Sequence, residues 1–370
     1  MKHLLLICFV GAALGCQAQR NTRLASPRAG LDKTHPLTPA FDRFISDYTR
    51  SHPFNGTILV QQNGKKIYNR SFGYANFQFD VPNTNDTKYK IASITKLFTA
   101  VLVMQLVEQG KVDLQQPIRT YLPGYKGAGG AKVSLFHLLT ATSGIESNER
   151  DVQGDEIPAM YAKPYTTDEL LDLFCSGKLE TEPGKVWNYN NADYVILGKI
   201  IEAVCGRSYE AVLQERILNP LQMTHTGMFG TTKLIRNLAT VYEVNDSART
   251  IEVTPPIYTE NYYAAGGLYA TADDLLRFAN ALYGGKLVNA QSLEAIMQPY
   301  LENYGLGIWV YDLKVKNGKL RMAERQGAIW GTRTRLLHIF DKDLTIILLS
   351  NAQTTDIDAL QAKMIGQLLQ

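Results

Sequence analysis

The sequence predicts an α/β protein whose sheet draws strands from both ends of the chain and whose middle forms an inserted, mostly helical lobe. Strand-like runs occur early, at Gly56-Thr-Ile-Leu-Val-Gln-Gln and Lys65-Lys-Ile-Tyr-Asn-Arg-Ser-Phe-Gly73, and return after residue 305. Between them, apolar residues recur at helical spacing. The length of 370 residues, 45% of them hydrophobic and 20% charged, supports a full core in one large or two associated domains. A formal charge of +3 is too small to make nucleic acid or an anionic membrane surface a partner.

Met1 to Gly15 has a basic start, a short apolar core and small residues after it, the pattern of a secretory signal peptide, and the core is too short to span a bilayer. Cleavage after Ala18 makes residues 1–18 the signal. Leu14-Gly15-Cys16 allows the rival, cleavage before Cys16 with a lipid anchor on that cysteine, although Ala13 stands where the lipoprotein pattern prefers Leu. The expected location is periplasmic or secreted, with an outer-membrane lipoprotein as the variant. Residues 19–39 are polar and contain proline, which reads as a tether, and the folded domain is expected over 40–370.

Phe41 to Tyr48 has a helical pattern, and the two early strands meet at Asn63-Gly64, a hairpin signal. A buried helix follows Ser93, and the helical lobe is expected over about 105–250, with helices at 166–176, 192–205 and 208–217. Thr271-Ala-Asp-Asp274 reads as a capping box opening a helix through Leu282. Strands are expected from Gly305 to Tyr311, Lys319 to Gln326, Thr332 to Phe340 and Leu344 to Ser350, then a last helix over Asp356 to Leu369. Beyond the leader, Cys175 and Cys205 are read either as two buried thiols or as one bridge. The six histidines lack metal-ligand spacing, so no metal is expected.

Two stretches carry chemistry. In Ile91-Ala-Ser93-Ile-Thr-Lys96-Leu-Phe-Thr-Ala-Val-Leu-Val-Met the run from Leu97 is apolar at nearly every position, so the helix is expected to have protein on all sides. Residues i and i+3 share a helix face, which places the Lys96 amine beside the Ser93 hydroxyl. A desolvated lysine can take the serine's proton, and the helix N-terminus offers backbone N–H groups to an oxyanion. The plain alternative is that Ser93 caps the helix, because Ser-x-x-Lys arises by chance roughly once in a chain this long. In Pro183-Gly-Lys-Val-Trp-Asn-Tyr189-Asn190-Asn191, Tyr189 and Asn191 alternate by two and can project a phenol and an amide to one side. Here too a plain reading exists: Asn191 as a helix cap and Tyr189 as an interface aromatic.

Ser93-Ile-Thr-Lys96, Tyr189-Asn190-Asn191 and Gly266-Gly267-Leu268 occur in the order and spacing of the serine β-lactamase-like hydrolases, and the chain resembles their class C β-lactamase, D-alanyl-D-alanine carboxypeptidase and esterase branch. His137-Leu-Leu-Thr-Ala-Thr-Ser-Gly144, Asn219-Pro-Leu-Gln-Met223 and Leu348-Leu-Ser-Asn351 add to the likeness, which runs from about residue 40 to 370. The resemblance implies a β-lactamase/transpeptidase-like fold, an antiparallel sheet flanked by helices, and acyl-enzyme chemistry without a cofactor on a small-molecule or peptidoglycan-derived substrate. It assigns Ser93 as nucleophile, and Lys96 and Tyr189 as the groups that move its proton. Asn191 would hold the substrate amide and Lys96, and the N–H groups of Ser93 and of Ala328 on an edge strand would form the oxyanion hole.

The third motif departs from the family: Arg325-Gln326-Gly327 stands where Lys-Thr-Gly or His-x-Gly is usual. Gly327 is expected to let substrate approach the strand, and Arg325 to supply a positive charge, binding a substrate carboxylate and tuning Tyr189. His137 reads as a core histidine, with Ala141 in place of the family's second histidine. Pocket shape is expected to depend on Tyr262, Tyr263, Trp330 and the loops around residues 145–165 and 225–260. The leading expectation is a secreted serine hydrolase acting on a small ester, a D-amino acid amide or a peptidoglycan stem peptide. The alternatives are a binding or regulatory protein that lost turnover, and a β-lactamase. A triad hydrolase is disfavoured because no Gly-x-Ser-x-Gly elbow is present. Oligomeric state is not legible.

Overall fold

The computed structural model describes residues 38–146, 157–245, 250–316, 318–354 and 356–369. The expected signal peptide, Cys16 and most of the expected tether lie outside the described residues. The last two residues of that tether already belong to the first helix, α1 (Thr38–Ser51), where Phe41, Ile45 and Tyr48 form one buried stripe.

The strands β1 (Asn55–Gln62) and β2 (Lys65–Phe72) turn at Asn63-Gly64, both left-handed with φ of 50° and 70°, as a two-residue hairpin loop requires. Near the C-terminus come β3 (Trp309–Val315), β4 (Gly318–Ile329), β5 (Thr332–Ile339) and β6 (Leu344–Ala352). The order across the sheet is β3-β4-β5-β6-β1-β2, and every neighbouring pair is antiparallel. The two chain ends are joined by β1 and β6, in register from Gly56 opposite Ser350 to Gln62 opposite Leu344, with a bulge between Gly56 and Asn55, which lies opposite Ala352. The helical segment also adds to this sheet, which was not expected: Tyr242–Asn245 and Thr250–Val253 pair with each other, and Tyr242 bridges to Ala352. Strands of four residues carry too little alternation to be recognised.

Alternation through the long strands separates two cores. Met322, Leu337 and Leu348 face α1 and the last helix, α6 (Ile357–Leu368), packing on Phe41, Ile45, Leu360 and Met364. Ala323, Leu336 and Leu349 face the larger helical side. There α2 (Thr95–Glu108) is buried over nearly its whole circumference, as its sequence predicts. It is accompanied by α3 (Thr167–Phe174), α4 (Asn191–Cys205) and α5 (Ala272–Tyr283). Thr271 caps α5 by accepting from Asp274 N, but the expected box is only half made. The Asp274 carboxylate instead accepts from His225 N and Thr226 Oγ1, tying down the 225–226 turn. Cys175 is buried and Cys205 partly so, and both are free thiols. Among the described residues no helix is long and apolar enough to cross a membrane.

Candidate active site

Ser93 lies in the middle of a single 3₁₀ turn, Ala92–Ile94, that leads into α2. Neither the turn nor α2 begins with a side-chain cap, so the Ser93 hydroxyl is not spent on capping. Ala92 is held at φ 49°, a left-handed position that costs a non-glycine residue about 1 kcal/mol. Neighbours hold the turn in place: Ile91 N donates to Leu268 O at 2.9 Å, and Thr334 Oγ1 donates to Ile91 O at 3.0 Å. Lys96, one turn on and fully buried, donates to Ser93 Oγ at 3.3 Å, to Ala265 O at 2.9 Å and to Asn191 Oδ1. A buried ammonium needs such acceptors, because leaving it unpaired costs several kcal/mol.

The segment before α4 supplies the opposite wall. Asn190, not Asn191, caps α4 by accepting from Ala192 N. That leaves Asn191, the first helical residue, with its amide oxygen on Lys96. Tyr189 Oη is 2.8 Å from Ser93 Oγ. From the sheet side, Arg325 donates through Nη2 to Tyr189 Oη at 2.5 Å, through Nε to Ser93 O at 2.6 Å and through Nη1 to Tyr304 Oη at 3.2 Å. Burial pushes the Tyr189 phenol up, but the Arg325 charge, then the Lys96 charge and the hydrogen bonds from Lys96 and Ser93, outweigh it and leave the phenol below the usual tyrosine range.

Residues 41–369 match the family model described as Beta-lactamase. The chain belongs to the beta-lactamase family. PbpX of Bacillus subtilis (strain 168), named as a penicillin-binding protein, is 32% identical over 268 residues, 72% of this chain and 64% of its own length. Penicillin-binding protein 4* of the same strain is 28% identical over 325 residues, 82% of this chain and 69% of that protein. Teichoic acid D-alanine hydrolase of Staphylococcus aureus is 26% identical over 287 residues, 77% of this chain and 67% of that protein. The matched stretch thus spans 64% of the first of these relatives. Among solved structures, FmtA from Staphylococcus aureus superposes with a TM-score of 0.74 at 22% identity, covering 92% of this chain and 93% of its own. The D-amino acid amidase from Ochrobactrum anthropi SV3 gives 0.74 at 22% identity, covering 90% and 99%. These likenesses establish the β-lactamase/transpeptidase-type fold.

Three expectations for this beta-lactamase-family site change. Arg325 has no exposed surface and all three of its nitrogens meet protein oxygens, so it does not present a fork to a substrate carboxylate. Gly327 is required by the protein's own packing, whatever the substrate needs: a Cβ there would lie 2.4 Å from Thr334 Oγ1, 2.5 Å from Ile91 O and 3.1 Å from Ala92 Cβ. Strand β4, which carries Ala328, is the second strand rather than the edge. Its partner β3 ends with Trp309 opposite Glu324, so only residues 325–329 form a free edge beside the Ser93 turn.

His137 is half-buried and serves its own helix start, where Nδ1 accepts from Ser134 N and burial lowers its pKa. Tyr263 is a core residue whose ring packs on Gly198, and Tyr262 stacks on Tyr161 with centroids 4.0 Å apart. The expectation that Tyr263 shapes the pocket is therefore not met. Sequence reasoning missed the Ala265 carbonyl, Tyr304 and Trp309. Ala265 directly precedes the recognised Gly266-Gly267-Leu268, the one signal available for it, while the aromatic residues carry none.

Proposed function

We propose that the protein is a serine hydrolase acting through an acyl-enzyme on Ser93. The observation that carries this reading is that Ser93 Oγ lies within hydrogen-bond reach of both Tyr189 Oη, at 2.8 Å, and Lys96 Nζ, at 3.3 Å, while Arg325 stands behind the phenol. Tyr189 as phenolate takes the Ser93 proton as Oγ bonds to the carbonyl carbon. The proton then passes to the departing oxygen or nitrogen as that bond breaks, and water releases the acid from Ser93. Lys96 keeps the local charge positive and Asn191 fixes its position. Oxyanion donors are assigned to the N–H groups of Ser93 and of Ala328 on the free stretch of β4.

The substrates expected are small esters, D-amino acid amides or D-alanyl groups of the cell envelope. The relative named teichoic acid D-alanine hydrolase supports the D-alanyl class. Secretion by an N-terminal signal is part of the same reading. The domain assignment is 40–370, with a helical lobe inserted over about 105–250. Intact-mass analysis after exposure to a fluorophosphonate and to a fluorescent penicillin tests it. A covalent adduct on the native protein and none on Ser93→Ala is the expected result, and a folded protein that takes neither probe refutes it.

A further inference from the structure

The beta-lactamase-family site buries its strand-side cation. Arg325 is completely buried, and its Nε, Nη1 and Nη2 donate to Ser93 O, Tyr304 Oη and Tyr189 Oη. Its Cζ lies 5.1 Å from the Trp309 ring centroid, 5.4 Å from that of Tyr189 and 5.8 Å from that of Tyr304, so aromatic rings box in the guanidinium. Capturing a carboxylate takes two parallel N–H groups on an accessible edge. Freeing such an edge here means breaking the 2.6 Å bond to the Ser93 carbonyl, which holds the nucleophile's turn, or the 2.5 Å bond to Tyr189.

The neighbouring arginine cannot substitute. Alternation along β4 sends Ala323 and Arg325 toward the helical side and Gln326 and Ala328 to the other face. Arg333 pairs with Ala328 and stands in the field of Glu243 and Asp358 on that other face. Lys96 is committed to Ser93, Asn191 and Ala265. Among the described residues, the partly exposed side chains beside Tyr189 include Trp187 and Trp309, and the Trp309 ring stacks on Tyr189 at 6.1 Å.

Building on the serine-hydrolase reading above, we infer that the site takes acyl esters or amides whose leaving group carries no carboxylate beside the scissile bond, and that Arg325 acts inward on Tyr189 rather than outward on substrate. Attack by Ser93 then expels a neutral alcohol or amine, which takes the proton relayed by Tyr189, and water returns Ser93 with release of the acyl group as its acid. Among the described residues, a leaving-group carboxylate would be desolvated against aromatic rings while Arg325, Arg333 and Lys96 are engaged elsewhere, which is costly.

A matched pair tests this: N-acetyl-D-alanyl-D-lactic acid and its carboxamide, which share the scissile ester and differ only in the leaving group's carboxylate. The expected result is a kcat/KM at least about tenfold higher for the carboxamide. Arg325→Gln is expected to lower kcat on both while leaving their ratio within about twofold, because the side chain meets neither leaving group. Equal rates, a preference for the acid, or an Arg325→Gln effect confined to the KM of the acid overturns the inference; the native-protein ratio alone decides it if the variant does not fold. Labelling of Ser93 by fluorophosphonate with turnover of neither ester refutes the substrate class and leaves the hydrolase reading standing. No labelling and no turnover refute both.

Discussion

The two halves of the site are built by different means. On the helix side, Ser93 and Lys96 are one turn apart in sequence, and Tyr189 and Asn191 are two residues apart at the start of α4, so local geometry fixes most of their placement. On the strand side, Arg325 reaches Ser93 and Tyr189 across 232 and 136 residues of chain, and Gly327 is demanded by Ile91 and Thr334, which lie against it. The same letter that names a motif residue thus predicts a role on the first side and only a position on the second. Arg325 illustrates the lesson: a guanidinium that reads as a carboxylate fork is turned inward by three protein acceptors.

The largest effect is expected at the nucleophile itself. Ser93→Ala should lower hydrolysis by roughly 10³-fold or more while leaving the melting temperature nearly unchanged, because the hydroxyl caps no helix. A large loss of stability instead would make Ser93 structural. Next in size is Arg325→Gln, expected to reduce kcat about 10- to 100-fold. Arg325 holds the Tyr189 phenol below its usual range, so the reactive phenolate persists to lower pH in the native protein. Without the charge the phenol's pKa rises, and the acidic limb of the kcat/KM profile should move to higher pH. An unmoved limb would show that Arg325 does not act through Tyr189.

Gly327→Ala tests the packing of the strand half. The new Cβ meets the Ile91 carbonyl, which is backbone and cannot swing away, so a loss of about 1–3 kcal/mol in urea unfolding is expected. A smaller effect is expected at Lys90, three residues before Ser93. Its ammonium lies 4.1 Å from the Phe229 ring centroid and borders an open cavity of about 470 Å³ lined by Val241, Val253, Pro255 and Ile257. Burial pushes this amine down to about 8, against the pull of Glu260. Below pH 8 it is charged in both the folded and unfolded chain and the burial cost is fully present. Between pH 8 and the ordinary value of 10.5 the unfolded chain holds more protons, so stability rises with pH. Lys90→Met should therefore stabilise the protein at pH 7, by no more than about 1–3 kcal/mol, with the gain fading above pH 8. Thermal melts of both proteins at pH 7 and pH 10 check the sign.

Much of the fold was legible because long elements leave periodic traces. The Asn63-Gly64 hairpin, the mostly apolar α2, and the strands returning after residue 305 all appear where their patterns place them, with ends shifted by a few residues. The 242–245 and 250–253 strands escaped notice because four residues cannot display a period. The half-made box at Thr271 escaped because the Asp274 carboxylate found better donors at His225 and Thr226, residues about fifty positions away.

Sequence alone therefore determined the long elements, the two-ended sheet, and the family likeness carried by Ser93, Lys96 and Tyr189, since these rest on short-range spacing and side-chain chemistry. Tertiary structure alone decided which way Arg325 faces, why residue 327 is glycine, and which stretch of β4 is left open beside the nucleophile. Those features depend on atoms brought together from distant parts of the chain, and hydrogen-bond direction and Cβ clearance leave no periodic trace in a sequence.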